Sequence, residues 1–247
     1  MALHLLRFDP DVARVAAWFS TEGLTLRDQE DEGYGWHALF TAAFGRDLAP
    51  KPFRVLARRG RPIQVLAYAQ ADAAALRARA SDFADPKAMA ALGVDMLASK
   101  LMPTFVAGRR LGFSARLRPT VRTDREGNRA KSRELDVFMA AKLAVTSGQA
   151  LDKASVYAAW ACNKLDQAGV DVESLRIDGL ESSDVVRRGR DRANGSRPFA
   201  RIPGHAVTVA GTLRIADADG FAALLARGLG RHRAFGYGML LLSPPEV

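Results

Sequence analysis

GLGRHRAFGYGM, residues 228–239, sets four glycines (Gly228, Gly230, Gly236 and Gly238) around Arg231, His232 and Arg233. Glycine serves backbone that must take positive φ or approach another group closely, and arginine suits bidentate contact with phosphate. A phosphate-holding loop, a tight packing turn and a catalytic loop share this composition, so the flanking sequence decides the reading. A helical pattern over 217–226 precedes the loop, and an apolar strand, YGMLLLS, completes it. Further upstream, LGFSARLRP (111–119) reads as a strong strand, followed by a basic segment turning at Glu126-Gly127-Asn128. A helix is expected to begin near Glu134 and another to cover 152–168, with strands at 172–178, 183–188 and 205–215.

The first half has the same outline without usable sequence identity to the second. A strand at 2–8 leads through Asp9-Pro10-Asp11 into a helix reaching Trp18, by cap and proline-at-N1 chemistry. A second helix is expected from Glu30 to Phe44, stopping at Gly45. Strands at 53–59 and 63–69 and an Ala-rich helix at 71–80 follow. Two such halves predict an α+β fold of two tandem ferredoxin-like (RRM-like) domains with antiparallel sheets. The expected division is an N-terminal domain over 1–95 and a C-terminal domain over 96–247, the boundary falling between 90 and 105.

With 247 residues, 48% of them hydrophobic, the chain is long enough to bury a proper core. A formal charge of +9 points to a polyanionic partner, because neutralising phosphates releases counterions. The single cysteine, Cys162, excludes an internal disulfide framework and reads as core beside Ala159 and Trp160. MALHLLRFDPD has too short an apolar run for a signal peptide, and no run approaches the roughly 20 residues that span a bilayer. The expectation is a soluble, cytoplasmic protein.

Charge is concentrated. Nine basic residues and only two acids, Asp124 and Glu126, lie between Arg109 and Arg133. Arg116 and Arg118 alternate with Ala115 and Leu117, so both are expected off one sheet face. Arg122, Arg125, Arg129, Lys131 and Arg133 follow across the turn, and a second cluster (Arg187, Arg188, Arg190, Arg192, Arg197, Arg201) surrounds Ala193-Asn194-Gly195-Ser196. The stacking motif of an ordinary RRM is missing. Basic loops without an aromatic platform suggest structured RNA read through backbone and shape.

The sequence has no Walker A, H-E-x-x-H or G-x-S-x-G motif, no paired H-x-T and no carboxylate cluster for metal-dependent phosphoryl chemistry, so no metal or cofactor is expected. His4 and His205 lie in strand patterns and read as structural. In EGYGWHALFTAAFG (32–45), Trp36, Leu39, Phe40, Ala43 and Phe44 form an apolar helix face. Tyr34, His37 and Thr41 flank it at three- and four-residue spacing, where a tyrosine and a histidine can donate and accept protons; a boundary histidine held by a hydrogen bond has the same pattern.

Three features together resemble the CasE subfamily of CRISPR repeat-RNA endonucleases of type I-E Cascade. Tyr34-x-x-His37-x-x-Phe40-x-x-x-Phe44 is similar to that family's Y-x-x-H-x-x-L-x-x-x-F helix. GFSARLRPTVR is similar to its F-R-L-R-A-N-P strand, except that Arg118-Pro119-Thr120 stands where the family has Ala-Asn-Pro. GLGRHRAFGYGMLLLSPP fits its G-h-G-x₅-G-h-G loop and final strand. The resemblance implies a tandem ferredoxin-like protein that binds the hairpin of a CRISPR repeat transcript. It further implies metal-independent cleavage at the 3′ base of the stem by 2′-OH attack, leaving a 2′,3′-cyclic phosphate and a 5′-hydroxyl. The enzyme then stays on the crRNA hairpin as a Cascade subunit. Under this reading His37 and Tyr34 are catalytic, with acid and base unassigned. Arg116, Arg118, Arg122, Arg125, Arg129, Lys131, Arg133, Arg231, His232 and Arg233 contact RNA, and the four loop glycines let amides approach phosphates. The alternatives are a non-catalytic hairpin-binding subunit, the same activity in a type IV or other variant system, and a DNA-binding regulator.

Overall fold

Helix starts are set by aspartates. Asp11, Asp72, Asp85, Asp152 and Asp217 each stand at an N-cap and accept a backbone N–H of the first turn. A computed structural model describes residues 2–24, 30–57, 60–123, 133–145, 150–188 and 199–245 of the chain. In order the elements are β1 (His4–Phe8), α1 (Val12–Thr21), β2 (Glu30–Asp31), α2 (Gly33–Leu48), β3 (Phe53–Leu56), β4 (Gln64–Ala69), α3 (Ala73–Phe83), α4 (Pro86–Leu92) and β5 (Ala98–Leu101). The second half holds β6 (Arg110–Leu117), β7 (Thr120–Thr123), β8 (Arg133–Asp136), α5 (Val137–Ala144), α6 (Lys153–Asp166), β9 (Val170–Ser182), β10 (Asp184–Arg188), β11 (Phe199–Ile202), β12 (His205–Ile215), α7 (Ala218–Arg227) and β13 (Leu240–Ser243).

The first sheet has the order β3-β4-β1-β5 and the second β13-β6-β12-β9. In each, the first and third strands of a βαββαβ unit lie side by side at the centre, which is the ferredoxin-like order, and all pairs are antiparallel. The fold is therefore α+β, with two tandem ferredoxin-like domains. β5 hydrogen-bonds to β1, so the first sheet extends to Leu101, past the expected division at residue 95.

One core lies between the first sheet and its helices, where Phe40 packs against Phe8, Phe44 and Phe53. The second surrounds Phe113, Tyr157, Phe221 and Leu225 and also takes in Tyr68, with Leu3, Leu5 and Leu66 against it. Thus the first sheet contributes to both cores, and the halves share apolar contact. The Tyr68 hydroxyl donates to the Leu240 carbonyl at 3.0 Å and Arg54 donates to Ser114 Oγ at 3.0 Å across the same seam. A small third sheet, β11-β10-β2, also joins the halves, with β10 running parallel to β2.

Several sequence expectations shift by a turn or less. Pro10 precedes the Asp11 cap and is not the first helical residue. α2 begins at Gly33, three residues late, and the chain breaks at Gly45 (φ 76°) before one further turn to Leu48. Glu134 lies in strand β8, paired with Arg122, and not at a helix start. The helix starts at Val137 because the Asp136 carboxylate accepts from the amides of Phe138 and Met139. No helix among the described residues is long and apolar enough to cross a membrane.

Phe40 is fully buried on the inward face of α2, among three other rings. Phe40→Ala is expected to lower stability by about 3–5 kcal/mol, read as a fall in the urea midpoint at unchanged m-value.

Candidate active site

α2 carries Tyr34 and His37 on the flank of its buried face, both half-exposed. Its N-cap residue, Glu32, makes no side-chain cap bond; the first amide, Gly33 N, donates instead to Asp31 Oδ1 at 2.7 Å. Thr41 does not reach the imidazole, because its hydroxyl donates to the His37 carbonyl at 2.8 Å. Burial, with the nearby cations Lys51 and Arg46, lowers the His37 pKa below its usual value of 6.5. The imidazole is therefore neutral at pH 7 and able to accept a proton.

The glycine loop lies directly on this helix. The Phe235 ring meets His37 edge-on at 5.5 Å between centroids and lies 6.1 Å from Tyr34 and 6.0 Å from His232. All four loop glycines have φ between 75° and 82°. A Cβ on Gly238 would sit 2.2 Å from the Leu229 carbonyl, and one on Gly33 would sit 2.1 Å from the Phe235 carbonyl. Leu229 N donates to Gly238 O, Gly238 N to Arg116 O, and Gly228 N to Leu224 O. The Gly228, Leu229 and Gly238 amides are engaged within the protein, and the glycines let the loop pack closely on strand and helix.

His232 is held within the protein as well. His232 takes a left-handed backbone (φ 58°), its side chain is 6% exposed, and it pairs with Glu134. Burial raises the Glu134 pKa, but hydrogen bonds and charge from His232 and Arg231 outweigh this and bring it down to about 2. Glu134 is therefore a carboxylate at neutral pH, holding the loop to the β7–β8 hairpin.

Arg116, near the end of β6, and Arg118, just after it, are held within the protein, whereas Arg110 at the start of the strand is exposed. Arg118 is 2% exposed and donates to the carbonyls of Ser183 and Ile202 at 2.7 and 2.6 Å, so its guanidinium is engaged inside the second domain. Arg116 donates through Nη1 to Asp31 at 2.9 Å and through Nη2 to Glu181 at 2.8 Å, with its guanidinium 4.6 Å above the Tyr237 ring. Burial opposes the charge of Arg116, yet Tyr237, Asp31 and Glu181 raise its pKa further above the usual arginine range. Asp31 also accepts from the Tyr237 hydroxyl at 2.9 Å and from Ser183 Oγ at 3.2 Å. Sequence reasoning missed Asp31 altogether; its only local signal is an acid just before a helix that begins with glycine.

Other cations face open space. A cleft of about 630 Å³ is lined by Arg122, Trp160, Lys164, Arg227, Arg231 and Arg233. A second, of about 590 Å³, is lined by Lys51, Arg227, Arg231, Arg233 and Phe235. Burial, Arg227 and Arg231 lower the pKa of Arg233, the mark of like charges held together. Phe235, which lines the second cleft, is also the ring that meets His37. Arg125, Arg129 and Lys131 lie outside the described residues, as do Arg190, Arg192 and Arg197 and the side chains of Arg133, Arg187 and Arg188. His4 Nδ1 lies 3.1 Å from the Gln70 carbonyl, while His205 joins Asp136, Tyr157 and Lys153 away from this site. Among the described residues no three His, Cys, Asp or Glu side chains gather to hold a metal ion.

The fold is similar to that of Thermus thermophilus Cse3 bound to an RNA representing a pre-cleavage complex, with 19% identity, a TM-score of 0.64, and 99% of this chain and 100% of that chain covered. CRISPR endoribonuclease Cse3 bound to a 19 nt RNA is similar at 20% identity and TM-score 0.65, with the same coverage. A chain of a CRISPR RNA-guided surveillance complex in a pre-nicking state is similar at 18% identity and TM-score 0.53, over 98% of this chain and 99% of that one. No curated protein matches the sequence. A family model described as CRISPR associated protein matches residues 3–244, and the chain belongs to that CRISPR-associated family.

Proposed function

We propose that the protein is an endoribonuclease that binds the stem-loop of CRISPR repeat RNA, cuts at the 3′ base of the stem without a metal, and remains on the crRNA hairpin as a Cascade subunit. The observation that carries this reading is the contact of Phe235, on the glycine loop beside the arginine-lined cleft, with both Tyr34 and His37. It brings a site for a phosphodiester and two proton-handling groups to one place. The similar folds include proteins named as endoribonuclease and described as bound to RNA, which agrees with this assignment.

In the proposed reaction the neutral His37 takes the proton of the ribose 2′-OH, and the oxygen attacks the adjacent phosphorus. The P–O5′ bond breaks, the 5′-oxygen takes a proton from Tyr34, and solvent restores the tyrosine. One product ends in a 2′,3′-cyclic phosphate and the other in a 5′-hydroxyl. Lys51 and Arg233, which line the cleft, would stabilise the negative charge that grows on the phosphorane. Arg122, Arg227 and Arg231 hold the flanking backbone as phosphate contacts, positioning the RNA without reading its bases.

Cleavage of a hairpin made from the CRISPR repeat of the source genome, in EDTA, tests the assignment. The wild type is expected to cut once at the stem base. His37→Ala should lose about 10²-fold or more in single-turnover rate while binding the hairpin as before. A wild type that binds but does not cut would make it a non-catalytic hairpin-binding subunit.

The His37 environment also fixes the sign of the pH dependence. A base is active when deprotonated, and its pKa lies below 6.5 in the free protein. Therefore kcat/KM should rise with pH through that lowered value and be level by neutral pH. A profile that falls over the same range would make His37 the acid and Tyr34 the base.

A further inference from the structure

We propose that Asp31 and Arg116 are positioning residues of this endoribonuclease, a latch between the two domains that sets where Tyr34 and His37 stand relative to the glycine loop. The inference rests on the function proposed above and changes the role of Arg116 from RNA contact to internal tether.

The latch is built from both halves of the chain. Asp31 sits immediately before α2, and one carboxylate oxygen receives the first helical amide, Gly33 N. The other oxygen receives Arg116 from β6, Tyr237 from the glycine loop and Ser183 from the turn before β10. The Asp31 side chain is 7% exposed, so these donors replace its water. The Arg116 guanidinium has its two ends on Asp31 and Glu181 and one face on Tyr237, which leaves it no fork for a phosphate. The Arg116 carbonyl accepts from Gly238 N at 2.8 Å, so the same residue holds loop and helix start together. Gly33 meets the Phe235 carbonyl too closely for any side chain, which leaves little play at this junction. If the latch opens, the start of α2 can shift against Phe235. An error of about 1 Å in the placement of a reacting group costs on the order of 10²-fold in rate.

The test uses Arg116→Gln, which removes the charge, and Tyr237→Phe, which removes one donor to Asp31 and no charge. Single-turnover cleavage of the repeat hairpin is measured well below each variant's Tm. Hairpin Kd is measured over a range of salt concentrations, with 2′-deoxy at the scissile nucleotide. Both variants are expected to cut at least about tenfold more slowly, with Kd within about twofold and the slope of log Kd against log salt unchanged. Loss of fold alone would reduce binding and cutting together, so unchanged Kd with slow cutting identifies positioning. Weaker binding by Arg116→Gln with a slope smaller by about 1 would make Arg116 a phosphate contact and overturn the latch. Wild-type rates in both variants would overturn it equally. If Arg116→Gln does not fold, Tyr237→Phe carries the test, because one hydroxyl is all that it removes. A wild type that binds but never cuts refutes the endoribonuclease reading, and the latch falls with it; wild-type cutting with unaffected variants refutes the latch alone.

Discussion

The carboxylate of Asp31 is where the two halves of the protein are joined by charge. A carboxylate withdrawn from water is costly unless its lone pairs are filled, and here Gly33, Arg116, Ser183 and Tyr237 fill them. The donors come from the start of α2, a central strand of the second sheet, the turn before β10 and the glycine loop. Geometry at this point therefore cannot change in one element without disturbing the other three. The apolar seam around Tyr68 brings the domains together without direction, whereas Asp31 gives the junction an angle.

This constraint also explains the composition of the glycine loop. The loop must pass over Pro52, under Trp160 and against Phe53 while turning back on itself, and side chains at its glycines would strike these groups or neighbouring carbonyls. Positive φ at Gly228, Gly230, Gly236 and Gly238 follows from that path. The Leu229 amide closes the turn on Gly238 O, and the Gly238 amide ties it to Arg116 on β6. Arg231 and Arg233 are held differently. Both line the two clefts, but Arg231 pairs with Glu134, whereas Arg233 donates to the Arg227 carbonyl.

Much of the fold was legible because it depends on local periodicity. The apolar face of α2, the strand alternation of β6 and the aspartate caps all lie within a few residues of one another, and the spacing of Tyr34 and His37 lies on that same helix. The start of α5 was misplaced because Glu134 looks like a helical first turn, while its pairing with Arg122 across β7–β8 is not a local signal. The alternation of Arg116 and Arg118 was legible, but not their burial. Their partners lie at Asp31, Glu181, Ser183 and Ile202, 65 to 85 residues away in sequence, and two of the groups are backbone carbonyls that no residue type announces. His232 was read as an RNA contact beside two arginines, and its pairing with Glu134 across the loop is not a local signal.

A net charge of +9 therefore overstates what can face a polyanion in this part of the chain. Arg116 and Arg118 hold the second domain to the first and to its own β10–β11 hairpin, and Arg231 is partly neutralised by Glu134. The cations left beside the site are grouped at the clefts on either side of the glycine loop, with Lys51 contributed by the first domain and Arg122, Lys164, Arg227 and Arg233 by the second. Because that group straddles the domain junction, an RNA backbone held there would touch both domains. The same junction sets the helix that carries His37 against the glycine loop, so under the proposed function the binding charge and the general base are aligned by one interface. Under that function, catalytic geometry would depend on how firmly the two domains are joined, with the glycine loop as the joint.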